Sequence, residues 1–199
     1  MLRSKTLLLF LLKALIIYGL LSVPLTFSDR AYGNFYRKLA GAFFSKFRET
    51  GFVKFREWKD PATTHINIGS YALVRPDGSS RTAALDINTR YLGYLPTILL
   101  ISLVLASPVP WKRKLTALAI GLILVMFLIM FKQWIALLWL CENKPWLQLT
   151  SFTDNTKKLL TFANNFISVS SSTVLYFVVA IWLLVTFSVE DFKPQKEKK

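Results

Sequence analysis

The sequence predicts a membrane α-helical protein with four transmembrane helices and a small extracytoplasmic α+β domain, made of an amphipathic helix and a three-stranded antiparallel meander. The chain has 199 residues, of which 53% are hydrophobic, and its mean hydropathy is +0.42. The apolar residues fall in long blocks, which is typical of membrane proteins. The sizeable polar segment, residues 28–89, follows the first apolar block and would form the external domain.

Residues 90–141 are predicted to form a transmembrane hairpin, the second and third spans. Two apolar runs are separated by the turn at 108–114, which reads Pro-Val-Pro-Trp-Lys-Arg-Lys. A helix needs roughly 20 apolar residues to cross the hydrocarbon core. Lysine and arginine accumulate in short cytoplasmic loops, so this turn is expected on the cytoplasmic side.

Residues 1–27 are predicted to be an N-terminal transmembrane anchor. Arg3 and Lys5 precede the apolar run, and Lys13 interrupts its early part. A cleaved signal peptide is the alternative, but the region near 22–28 lacks the small-x-small pattern of a cleavage site. An uncleaved anchor places the N-terminus inside and residues 28–89 outside.

The first half of the external domain is predicted to be a basic, aromatic, amphipathic helix that Gly51 stops. Apolar residues recur at steps of three and four: Tyr32, Phe35, Tyr36, Leu39, Phe43 and Phe47. Basic residues occupy the other faces: Arg30, Arg37, Lys38, Lys46 and Arg48. Such a helix can lie on the outer leaflet or cover a sheet, and both alternatives stay open.

The second half is predicted to contain three strands. Residues 52–58 alternate apolar and polar side chains, and a second strand is marked on one face by Ile66, Ile68, Ser70, Ala72 and Val74. Pro76-Asp77-Gly78 is a strong turn signal, after which residues 81–87 return as the third strand.

Residues 142–158 are predicted to be an outer loop, 159–188 the fourth transmembrane helix, and 189–199 a basic cytoplasmic tail. Asn165, Ser168 and Ser172 would share one face of the fourth span. Small and polar residues on one stripe favour a helix–helix contact in lipid. A transport path along the same stripe is the alternative.

Residues suited to chemistry are few. Cys141 is the single cysteine and His65 the single histidine, so the usual zinc ligand set is lacking and no metal or cofactor is predicted. The two would form a nucleophile–base pair only if the fold brought them together. Lys132 is expected to snorkel to the outer membrane edge, with Glu142 and Asp154 as candidate partners if it is buried.

The net charge of +14 raises the question of nucleic-acid binding. The basic residues, however, flank apolar segments or lie in the one polar segment. Anionic lipid headgroups are therefore the favoured partner, and no nucleic acid is expected.

The hairpin resembles a known family. Its Gly93-Tyr94-Leu95-Pro96, its Ala-Ser-Pro-Val-Pro-Trp turn at 106–111 and the following Lys-Arg-Lys resemble the small membrane proteins encoded beside bacterial exosortases, of the exosortase H-associated type. The resemblance covers only the hairpin. It implies an inner-membrane accessory component of a system that sorts proteins with a C-terminal membrane anchor, and it supplies no catalytic residues.

The predicted function is accordingly a non-enzymatic accessory or scaffold subunit that binds an integral membrane partner. The predicted partner-binding residues are Arg37, Lys38, Lys46 and Arg48 on the external helix, and Asn165, Ser168 and Ser172 on the fourth span. A membrane cysteine enzyme using Cys141 with His65, or a small transporter subunit, is the alternative.

Overall fold

The computed structural model describes residues 4–74, 80–150, 152–168 and 171–187. Within these residues the chain forms six α-helices and one four-stranded antiparallel sheet. The elements are α1 (Ser4–Ser22), α2 (Thr26–Phe44), β1 (Lys46–Phe47), β2 (Gly51–Trp58), β3 (Asp60–Val74), β4 (Ser80–Asn88), a π-helical turn (Arg90–Tyr94), α3 (Leu95–Ala106), α4 (Trp111–Glu142), a 3-10 turn (Pro145–Leu147), α5 (Asp154–Ser168) and α6 (Ser171–Thr186).

The strands follow chain order in the sheet, and each neighbouring pair is antiparallel. On β3, every second residue from Thr64 to Ser70 is buried, including Ile66 and Ile68. This period of two is what a strand with one covered face requires. The order leaves β4 at one edge of the sheet.

Helix α2 covers the buried face of the sheet. Tyr36, Ala40 and Phe44, spaced four apart, are buried in the core that also holds Ile66 and Ile68 of β3. Gly33 permits a close approach, because a Cβ there would lie 2.6 Å from the carbonyl oxygen of Pro61. The question left open by the sequence is thereby answered: this helix packs on the strands.

The start of α1, the α3–α4 turn and the end of α6 meet at one end of the helical layer. The ring of Phe10 stacks on Trp182 at 5.4 Å, and Trp182 Nε1 donates to Ser107 Oγ at 2.9 Å. Lys114 Nζ donates to the carbonyl of Leu105 at 2.6 Å, which ties α4 back to α3. The sheet lies at the opposite end, where Tyr36 of α2 reaches Gln133 of α4.

Arg90 ties the end of α1, the start of α2 and the π-helical turn together. Its guanidinium donates to the Asp29 carboxylate at 2.8 Å and to the carbonyl of Ser22, and it lies over the ring of Tyr94. Both charged side chains are mostly buried, with 13% and 15% exposed. This ion pair therefore fixes the corner between the helical layer and the sheet layer.

The predicted fold class of four transmembrane helices is wrong. Among the described residues, α4 is the one helix that is long and apolar enough by itself to cross a membrane. Helices α1 and α2 would supply a second candidate only as one broken span, and they are bent by 87° at their junction.

Two of the predicted spans contain no described helix that is long and apolar enough by itself to cross a membrane. Helix α3 continues the π-helical turn, and together they form one apolar helix, Arg90–Ala106, which is shorter than the roughly 20 residues that a spanning helix needs. The described part of the predicted fourth span consists of α5, up to Ser168, and α6, from Ser171, and neither is long and apolar enough by itself to cross a membrane.

The predicted three-stranded meander is also incomplete, because the helix before it ends earlier than expected. Helix α2 stops at Phe44, and Lys46–Phe47 forms β1 against the start of β2. Gly51 is needed at this turn, since a Cβ there would lie 2.2 Å from the carbonyl oxygen of Phe47. The predicted turn at 76–78 and the basic tail at 189–199 lie outside the described residues.

Replacing Arg90 with Met is expected to destabilise the fold by about 2–4 kcal/mol, because the Asp29 carboxylate would be left mostly buried without its cation. The matched control is Arg30→Met, on an exposed residue of α2, which should change stability by about 0.5 kcal/mol or less. Urea unfolding followed by circular dichroism measures both. Equal midpoints for the two variants would contradict the role of the ion pair.

Candidate functional site

A cavity of about 560 Å³ opens between the edge strand and the sheet-side end of α4. We call it the β4–α4 cavity. Its walls come from β4, the π-helical turn, α4 and α5. It is lined by Leu85, Asp86, Ile87, Asn88, Tyr91, Leu92, Lys132, Gln133, Ala136, Trp139, Leu140 and Asn164.

Gln133 is the most deeply placed polar side chain of this cavity, with 1% of its surface exposed. Its Oε1 accepts a hydrogen bond of 3.0 Å from the Tyr36 hydroxyl. Burial raises the pKa of Tyr36, with a smaller contribution from Tyr32, so the phenol keeps the proton that it donates. The Gln133 Nε2 group is buried and has no hydrogen-bond partner among the described residues.

Lys132 precedes Gln133 on α4 and is half-buried beside it. Within the described part of the chain, its ammonium group makes no ion pair or hydrogen bond. Glu142, one of its two predicted partners, instead accepts from Lys157 Nζ at 3.0 Å. This hydrogen bond raises the pKa of Lys157.

The carboxylate at the cavity wall is already engaged. Asp86 on β4 lies opposite His65 on β3, and its Oδ1 is 2.5 Å from His65 Nδ1. The imidazole also stacks on Trp58 with ring centroids 4.6 Å apart. His65 is thus a partner of two sheet residues.

The structure does not bring Cys141 and His65 together. Cys141 is 2% exposed and belongs to the hydrophobic core, whereas His65 is held on the sheet by Asp86 and Trp58. No hydrogen bond joins the thiol to the imidazole in the described residues. A nucleophile–base pair requires such contact, so the geometry does not support the cysteine-enzyme alternative.

The four basic residues predicted to share a helix face are dispersed. Arg37 and Lys38 lie on α2, Lys46 lies on β1, and Arg48 follows β1 with a φ of 58°. Arg37 donates to Glu57 at 2.9 Å, and its side chain is 9% exposed. The other three are exposed, so they are the ones accessible to a partner or to lipid headgroups.

The three residues of the polar stripe predicted on the fourth span lie on two described helices. Asn165 is exposed on α5, Ser168 is the last residue of α5, and Ser172 lies in α6. The side chains of Ser168 and Ser172 lie outside what the structure describes.

A second concave feature lies between α2 and α4. We call it the α2–α4 groove. It has a volume of about 690 Å³ and an almost wholly apolar lining. Its walls are Phe35, Leu39, Phe43, Phe44, Leu122, Ile123, Met126, Phe127, Met130, Phe131 and Trp134.

The sequence prediction did not select Gln133 or Asn164 as site residues. The signal was present, because Lys132 and Gln133 interrupt an otherwise apolar run. Polar residues inside such a run are often functional. The partner across the cavity, β4, could not be inferred without the fold.

Comparison with protein-family models, with curated proteins and with solved structures finds no match to this chain. No group of three or more metal-ligating side chains is found among the described residues. The β4–α4 cavity and the α2–α4 groove are therefore the features on which a function can be argued.

The buried Cys141 thiol is expected to react with a maleimide roughly a hundredfold more slowly in the folded protein than in urea, because reaction requires local opening of the core. The matched control is a chain with Cys141→Ser and Ala42→Cys, since Ala42 is exposed on α2. Mass spectrometry measures both labelling rates. If native Cys141 labels as fast as the control thiol, its placement in the core is wrong.

Proposed function

We propose that the protein is a non-enzymatic accessory subunit seated in the bacterial inner membrane by α4. The observation that carries the proposal is the exposure of this helix. It has 32 residues and a mean hydropathy of 2.5 over its most apolar window, yet only 28% of that window is buried. The central helix of a water-soluble protein would be mostly covered by other residues.

The apolar length of α4 supports the same placement. Lys114 and Lys132 bound a segment without charged residues, which spans about 27 Å at 1.5 Å per residue. The hydrocarbon core of a bilayer is about 30 Å thick. Trp111 and Trp134 lie near the two ends of this segment and are exposed, as tryptophans at membrane interfaces are.

Neighbouring helices extend the apolar surface around α4. Contiguous exposed apolar patches beyond a few hundred Å² are rare on soluble monomers and mark membrane or protein contacts. Large apolar side chains are exposed on α1 at Leu8, Leu15 and Leu20, on α4 outside the α2–α4 groove at Leu115 and Ile120, and on α6 at Tyr176 and Leu184. We place these faces against lipid hydrocarbon.

The orientation follows from the basic turn. Lys112, Arg113 and Lys114 begin α4, and short basic segments remain in the cytoplasm. The start of α1 and the end of α6 lie at the same end as this turn. The sheet at the opposite end is then outside the cytoplasm.

The α2–α4 groove supplies a surface for a membrane partner. Phe35 and Phe43 of α2 are exposed above it, and Phe127 and Phe131 of α4 line its other wall. Its apolar lining fits an apolar helix packed lengthwise, and its position beside α4 puts it within reach of hydrocarbon. The exosortase-like sorting system that the hairpin resembles is the proposed setting, and an exosortase is the proposed partner.

Membrane seating predicts that the wild-type chain stays in the membrane pellet after alkaline carbonate extraction. Replacing both Ile123 and Phe127 with Lys should reduce the inserted fraction strongly, because each charge near the helix centre costs about 3 kcal/mol. The matched control replaces Tyr71 and Val74, exposed apolar residues of β3, with Lys. Release of the wild-type chain by carbonate would overturn the proposed seating.

The partner surface is tested by a photoreactive amino acid placed at Phe43, which lines the groove. With the exosortase of the same organism co-expressed, Phe43 should give a crosslink to it, because the groove is the docking surface. The same photoreactive residue at Tyr176, which is exposed on α6, should not. No exosortase adduct from Phe43, or equal adducts from both positions, would contradict the proposal.

A further inference from the structure

We infer that the β4–α4 cavity binds the anionic head of an amphiphile, a carboxylate or phosphate group that carries an acyl chain. The juxtaposition behind this inference is an ammonium next to a buried amide donor, both without a partner among the described residues, in a cavity with otherwise largely apolar walls. The inference rests on the proposed seating of α4 in a membrane and adds a ligand to it.

The amide of Gln133 supplies the first contact for the ligand. Tyr36 donates to its Oε1, so the Nε2 hydrogens remain for another acceptor. A buried donor without an acceptor costs about 1–3 kcal/mol, and native structures pair nearly all such groups. A ligand oxygen in the cavity would satisfy this donor.

The positive charge of Lys132 supplies the second contact for the ligand. Lys132 lines the cavity and makes no ion pair among the described residues. Asp86 also lines the cavity, but its carboxylate is hydrogen-bonded to His65 and half exposed to solvent, and Glu142 is paired with Lys157. The cavity therefore offers a cation and a neutral donor to its ligand, which selects an oxyanion over a neutral or cationic group.

The shape of the β4–α4 cavity and its position along α4 suit an amphiphile. The remaining walls are mainly apolar, with Leu85, Leu92, Trp139 and Leu140 among them. A volume of about 560 Å³ lies within the range of small-molecule sites. Lys132 lies at the end of the uncharged stretch of α4, where lipid headgroups meet hydrocarbon. A head held by Lys132 and Gln133 can keep its acyl chain in the membrane.

The experiment uses the full chain in phosphatidylcholine nanodiscs. Spin-labelled stearate, its methyl ester, spin-labelled phosphatidic acid and spin-labelled phosphatidylcholine are added in turn. Quenching of tryptophan fluorescence is measured in the wild-type chain and in Trp139→Phe. The difference between the two is the signal from the cavity, because Trp139 lines it. The acids should quench at concentrations about tenfold lower than their neutral-headed counterparts.

The matched variants are Lys132→Met and Lys112→Met, which remove the same charge from opposite sides of the uncharged stretch of α4. Lys132→Met should abolish the preference for the acids, and Lys112→Met, on an exposed residue, should keep it. Gln133→Met, which removes the buried donor, should weaken it. The comparison of stearate with its methyl ester uses the wild-type chain alone, so it tests the inference even if a variant fails to fold.

The outcomes separate the possibilities. A preference for stearate alone identifies a free carboxylate as the ligand, and one for phosphatidic acid alone identifies a lipid phosphate. Equal quenching by acids and neutral counterparts overturns the inference, as does a preference that Lys132→Met leaves intact. A chain that does not enter nanodiscs overturns the proposed seating instead.

Discussion

The structure depends on one constraint: within the described residues, the apolar side chains of α4 outnumber the positions at which other parts of the chain cover them. The sheet-side end of the helix is well covered, and Leu137, Leu138, Leu140 and Cys141 are all buried there. Its middle is not, since Ile123 and Phe127 are about 70% exposed. Hydrocarbon or an apolar partner has to supply the missing cover, because water does so only at a cost of roughly 25 cal/mol per Å² of apolar surface.

The Tyr36–Gln133 hydrogen bond connects this constraint to the site. It joins the helix that covers the sheet to the sheet-side end of α4. The bond uses only one end of the Gln133 amide, so the contact between the two layers leaves the other end in the β4–α4 cavity. The Arg90–Asp29 pair fixes the same junction from the side of α1. The cavity is thus a consequence of how the two layers meet.

Much of α2 and the sheet could be predicted from the sequence, because their patterns are local. The steps of three and four from Tyr32 to Phe43 coincide with α2, and the alternation in 52–58 and from Ile66 coincides with β2 and β3. The end of α2 was misplaced because Phe47 continues the helical spacing, although it lies on β1. The pairing of Phe47 with Gly51 depends on the backbone geometry of the turn, which cannot be inferred from the spacing of apolar side chains.

The number of spans was wrong for a related reason. Hydropathy counts apolar residues without measuring how far one helix continues, so the apolar stretch that ends near 109 predicts a span, whereas the helix runs only from Arg90 to Ala106. The cavity could not be predicted at all, since it joins β4 to α4 across more than forty residues of sequence.

The most direct test of the central claim is the depth profile of spin labels along α4 in the reconstituted protein. Labels are introduced singly at Leu115, Ile123 and Phe131, which are all exposed, and at exposed Tyr71 on the sheet. Membrane seating predicts that accessibility to oxygen peaks at 123, with a water-soluble nickel relaxant excluded there but not at 71. Equal access of the nickel relaxant to positions 123 and 71 would contradict it.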